Sequence, residues 1–115
     1  MLSYERRAKM KTPPLPSRKG KTTRRKDING KPMVYTVEDE IVRIPKSNPE
    51  KAIYLQMLSH KEGRQEMRLC YYMICKNGKR KGKWLFGQFA TMIEKEDFEY
   101  LIGEAIKRGW ITLSS

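Results

Sequence analysis

The first 32 residues of this chain cannot build a core, so whatever folds must do so with about 83 residues. That segment carries eleven Lys or Arg against Glu5 and Asp27, and almost no periodic apolar pattern. Too little apolar surface is available there to offset the entropy of ordering it. Thr12-Pro13-Pro14-Leu15-Pro16-Ser17 is expected to be extended, because proline fixes its own φ and restrains the residue before it. The expectation is therefore two parts: a disordered or partner-ordered basic arm over 1–32, and a small domain over 33–115. Residues 3–10 are the only stretch of the arm that reads as a helical turn or two. A chain of 115 residues is one domain at most, with little surplus stability.

After Met33 the apolar residues cluster. Val34 to Val37 and Ile41 to Ile44 suit strands, and Glu38-Asp39-Glu40 between them reads as a turn, giving a hairpin over 33–44. A helix is expected over 48–62. Ser47 with Glu50 fits a capping box, Pro49 a first turn, and Ile53, Tyr54, Met57 and Leu58 an apolar stripe, with Gly63 as the stop. Two apolar runs flank Asn77-Gly78, the strongest short hairpin signal, and predict a hairpin over 66–91. A two-residue turn sets Tyr71 opposite Trp84. It places Arg68, Cys70, Tyr72, Lys81 and Lys83 on one face, with Met67, Leu69, Tyr71, Trp84 and Phe86 on the other. A longer loop over 76–82 is the alternative.

Phe98, Leu101, Ile102, Ala105 and Ile106 follow i, i+3, i+4, i+7, i+8 and predict a helix over 94–108. Acidic residues suit its start, Lys107 and Arg108 its end, and Gly109-Trp110 a Schellman stop. Ile111 and Leu113 suggest a short closing strand. The expected fold is α+β: a small antiparallel sheet from the two hairpins, packed by two helices.

The charge pattern directs the functional reading. The arm has a net charge of +9, and Lys76 to Lys83 adds five cations and no acid. The remaining residues are near neutral. A basic footprint this concentrated answers a polyanion, most often nucleic acid. The candidate phosphate-gripping residues are Arg18, Lys19, Lys21, Arg24, Arg25 and Lys26 in the arm, and Lys76, Lys79, Arg80, Lys81 and Lys83 at the hairpin tip. Arg68 and Tyr72 join Lys81 and Lys83 as a candidate stacking platform, an aromatic among cations on one sheet face. The two blocks are expected to meet in one field. The reading is a non-catalytic nucleic-acid-binding protein, with RNA or a ribonucleoprotein favoured over DNA.

Two alternatives come from other classes. One is an accessory or inhibitor protein, from a mobile element or phage, that binds a host nucleoprotein enzyme with Trp84 or Trp110 as anchors. The other is a small metal-dependent nuclease built on Glu38-Asp39-Glu40.

Catalysis finds little support. His60 is the only histidine. It falls in the last turn of the expected first helix, where the dipole accounts for it. Cys70 and Cys75 lie an odd distance apart in an expected strand, so they face opposite ways and read as reduced structural cysteines. Their spacing does not suit zinc, and no cofactor is expected. Gly87-Gln88 interrupts an expected strand and reads as a bulge. No run is long enough to span a bilayer, and the N-terminus has no apolar h-region, so a cytoplasmic protein is expected.

Overall fold

The computed structural model describes residues 13–113. Five strands, β1 (Thr22–Lys26), β2 (Pro32–Arg43), β3 (Lys51–His60), β4 (Gln65–Ile74) and β5 (Trp84–Phe86), precede one helix, α1 (Lys95–Lys107). Each strand pairs antiparallel with the next, so spatial order follows chain order in a curled meander. The fold is mostly β. The expected α+β arrangement with two packing helices is overturned, because the stretch expected as the first helix is the central strand.

That stretch, β3, explains the misreading. Ala52 through Gln56, with Leu58 and His60, are all buried. Ile53 and Leu55 face α1, whereas Ala52 and Tyr54 face the opposite side. A strand covered on both faces reads as a continuous apolar run without a period of two. The capping signals belong to a turn instead. The Asn48 carbonyl oxygens, side-chain and main-chain, accept from the Glu50 and Lys51 amides at 3.1 and 3.2 Å, and Ser47 donates to Glu94. Gly63 serves the β3–β4 turn at φ 96° and stops no helix.

Glu38-Asp39-Glu40 is likewise no turn. β2 runs through it with a bulge, Val37 facing Leu58 and Asp39 facing Met57, so Glu38 has no cross-strand partner. Residues 22–26, expected in the arm, form the edge strand β1 against β2. Asp27 closes that hairpin by accepting from the Asn29 and Lys31 amides at 2.8 and 2.9 Å, and Gly30 takes φ 79°. The chain before β1 is a strap across the sheet. The Tyr54 hydroxyl donates to the Pro16 carbonyl at 2.5 Å, Trp84 Nε1 donates to the Pro13 carbonyl at 3.0 Å, and the Gly20 amide donates to the Val37 carbonyl. The helical turns expected over residues 3–10 lie outside the described residues.

The β4–β5 hairpin exists, but its register differs from the two-residue-turn expectation. Tyr72 faces Phe86 and Ile74 faces Trp84, joined by a long loop in which Cys75 exchanges backbone hydrogen bonds with Gly82 and Lys83. The odd shift moves Trp84 and Phe86 onto the face of Tyr72 and Arg68. α1 was legible almost to the residue, ending in a Schellman motif. The Trp110 amide donates to the Ala105 carbonyl and Gly109 to Ile106, with Gly109 at φ 77°. Its buried line is Asp97, Leu101 and Ala105, whereas Phe98 and Ile106 are exposed. Ile111 packs on the core without forming a strand.

Three apolar clusters follow. Ile41, Ile53, Leu55 and Tyr71 lie under Leu101 and Ala105 of α1. Ala52, Tyr54, Cys70 and Tyr72 lie on the strapped face. Tyr35, Val37 and Leu58 fill the end nearest β1. Burying Leu101 alone contributes about 2 kcal/mol.

Candidate nucleic-acid interface

Two kinds of cation divide the surface. The first kind is neutralised within the domain. Lys19 and Arg108 pair with Asp39, Arg43 with Glu96 and Asp97, and Arg64 with Glu62 and Glu66. Lys76, Lys95 and Lys107 also have carboxylate partners. Arg18 donates to Thr23 through its guanidinium and to Glu40 through its amide. The carboxylates that Lys19 and Lys76 meet therefore offset their charge, whereas the Arg18 guanidinium is held by a hydroxyl.

The second kind has no carboxylate partner among the described residues. Arg24, Arg25 and Lys26 on β1, with Lys21, Lys31 and Lys61 beside them, gather at one corner, all exposed. The pairings Arg24–Val34 and Tyr35–His60, with the Lys61 amide donating to the Val34 carbonyl, set Arg24 and Lys61 in one row across three strands. Lys79, Arg80, Lys81 and Lys83 are exposed in the β4–β5 loop. Lys61 escaped the sequence reading because it was assigned to a helix end. Its place in the β3–β4 turn brings it beside β1.

The two groups do not meet. β1 and β5 are opposite edges of the sheet, with three strands between them. The β4–β5 loop also lies at the other end of the strands, roughly 35 Å away at ~3.3 Å per residue. The expectation of one continuous field is corrected to two separate corners.

Tyr72 is not a platform. It is buried between Tyr54, ring centroids 5.0 Å apart, and Phe86, 5.3 Å away in an edge-on contact. Lys81 and Lys83 lie beyond its strand, in the loop. Phe86, expected on the face opposite Tyr72, is the half-exposed ring of this group.

Arg68 is held in a part-buried polar chain. Its Nε donates to Gln56 Oε1 and its Nη1 to the Tyr35 hydroxyl, both at 2.9 Å. Gln56 donates in turn to Glu40 at 2.6 Å. The Arg68 guanidinium lies 5.5 Å from the Tyr35 ring centroid and 5.6 Å from that of Phe86. Such a network fixes the position of its arginine fork.

The other candidates are absorbed by the fold. Glu38 accepts from Ser59, Asp39 meets Lys19 and Arg108, and Glu40 accepts from Ser17 and Gln56. Partial burial of Asp39 works the other way, but the Glu40 amide, Lys19 and Arg108 hold its carboxyl below the ordinary range. The three acids of the expected metal cluster thus face different partners. Among the described residues no three His, Cys, Asp or Glu side chains gather as metal ligands. His60 is at the end of β3 rather than of a helix, buried, and 2.5 Å from Glu66 Oε1. Cys70 and Cys75 are free thiols, and burial pushes the Cys70 thiol up. Trp84 and Trp110 are half-buried within the fold rather than displayed as anchors.

Among the described residues no helix is long and apolar enough to cross a membrane. No protein-family model, curated protein or solved structure matches the chain.

Proposed function

We propose that this protein binds nucleic acid without catalysing a reaction on it, gripping phosphates at two separated cationic corners, in a cytoplasmic setting. One observation carries the reading. The described carboxylates are committed to other cations, to hydroxyls, to His60 or to turn amides, and Arg24, Arg25, Lys26, Lys61, Lys79, Arg80, Lys81 and Lys83 are left with none. Unpaired surface cations held on a folded scaffold release counterions when phosphates replace solvent ions around them. The separation of the corners supports a ligand long enough to reach both, such as a polynucleotide, over a small anion. Phosphate contacts of this kind position a strand and carry no base preference.

The test is a salt titration of binding to labelled oligonucleotides. Six contacts to a single strand predict a slope of log K against log salt of about −4. Replacing Arg24, Arg25, Lys26, Lys79, Arg80, Lys81 and Lys83 with Ser is expected to abolish binding while the circular dichroism spectrum is unchanged. Affinity that the sevenfold variant retains in full would refute the reading.

A further inference from the structure

The curl of the sheet brings β1 toward β4 although β2 and β3 separate them in the strand order. Arg25, Met33, Tyr35, Leu58, His60 and Arg68 line one depression of about 410 Å³ between these strands. That volume lies in the range of small-molecule sites, which combine apolar walls with a few fixed polar groups. Tyr35, Leu58 and His60 are at most 6% exposed, so they form a built floor rather than a mobile surface.

The polar groups are of two kinds. Arg68 is fixed by Gln56 and Tyr35, and its Nη2 has no protein acceptor among the described residues. Arg25 stands exposed at the rim without a carboxylate partner. Glu66 also borders the depression, but its carboxylate is committed to His60 and Arg64.

A flat aromatic ring with hydrogen-bond acceptors on its edge, joined to an anion, matches this arrangement. The apolar floor takes the ring, Arg68 donates to its edge through Nη2, and Arg25 takes the anion. Resting on the nucleic-acid reading, we infer that the ligand is a single strand, one unstacked base of which enters this depression while its phosphate meets Arg25. A duplex keeps its bases stacked and paired and must spend free energy to present one.

The experiment uses the full chain with methyl-labelled methionine and three probes: a ten-nucleotide oligouridine, a ten-nucleotide oligothymidine, and a ten-base-pair duplex. Met33 lines the depression, and Met92 borders a different cleft, at the other end of β3. A base in the depression shifts the Met33 methyl resonance by its ring current and leaves Met92 in place. Single strands are expected to bind at least tenfold more tightly than the duplex at equal salt. Arg25→Gln should weaken single-strand binding and reduce its salt slope by about 0.7. Arg68→Lys, which keeps the charge and loses the fork, should lower single-strand affinity about tenfold and leave duplex affinity unchanged. Equal affinity for strand and duplex, or an unmoved Met33 resonance in a saturated complex, would overturn the inference and leave the phosphate-binding proposal standing. Absence of binding by all three probes would overturn both.

Discussion

Replacing Gly87 with Ala is the sharpest test of the packing that fixes β5, and with it Phe86, against β4. An ideal Cβ at Gly87 falls 2.6 Å from Tyr71 Cδ2 and closer still to Cε2 and Cζ. Carbon atoms rest at about 3.5–4.0 Å, so the ring or the strand must move by about 1 Å or more. Tyr71 cannot swing away freely, because it is buried with Ile41, Ile53, Leu55 and Leu101. Overpacking of this kind costs about 1–3 kcal/mol. If β5 retreats instead, the Gly87 amide loses its 2.8 Å bond to the Tyr71 carbonyl, about 1 kcal/mol more. The restricted unfolded chain returns about 0.4–1 kcal/mol. The expected net loss is about 1–3 kcal/mol.

Gly103 is the control. It lies within α1, and a Cβ there meets nothing within 4 Å. The same change to Ala should stabilise the helix by about 0.5–1 kcal/mol. Urea unfolding followed by far-ultraviolet circular dichroism measures both. Opposite signs are expected for one chemical change. Combining Gly87→Ala with Tyr71→Leu should cost at least about 1 kcal/mol less than the two singly, since the clash is shared. A Gly87→Ala protein as stable as the parent would refute the reasoning, and with it the position of Phe86 beside Arg68.

Three further outcomes follow from the same structure. Tyr54→Phe removes the hydroxyl that donates to the Pro16 carbonyl at 2.5 Å; it should cost about 1 kcal/mol and speed trypsin cleavage at Arg18, Lys19 or Lys21. Burial holds the Cys70 thiol and the Tyr54 and Tyr72 hydroxyls above their ordinary values of 9.0 and 10.0. These groups keep their protons longer in the folded state, so the urea midpoint should fall as the pH rises beyond about 9. Arg43→Met leaves the Asp97 carboxylate buried without its 2.8 Å partner, and should lower the urea midpoint far more than Lys95→Met at an exposed pair, because removing one member of a buried pair strands the other's charge.

The sequence alone was enough for α1, whose periodicity, dipole charges and Gly109-Trp110 stop all lie within the helix and its immediate flank. It was enough for the existence of the β4–β5 hairpin and for the two basic blocks. Asn29-Gly30 carried the same turn signal as Asn77-Gly78, and reading it would have revealed β1. Tertiary structure decided the rest. β3 lost its period because α1 covers one face and the strap the other, and neither cover is visible in residues 51–60. The register of β5 seats Gly87 against Tyr71, a contact between strands rather than a property of either. Arg24 and Lys61 became neighbours, and Arg25 and Arg68 came to share one depression, only because the sheet is a curled meander. Local signals can form a helix or a turn. Which cations end together is set by strand pairing and curl, and those follow from side-chain burial across the whole sheet.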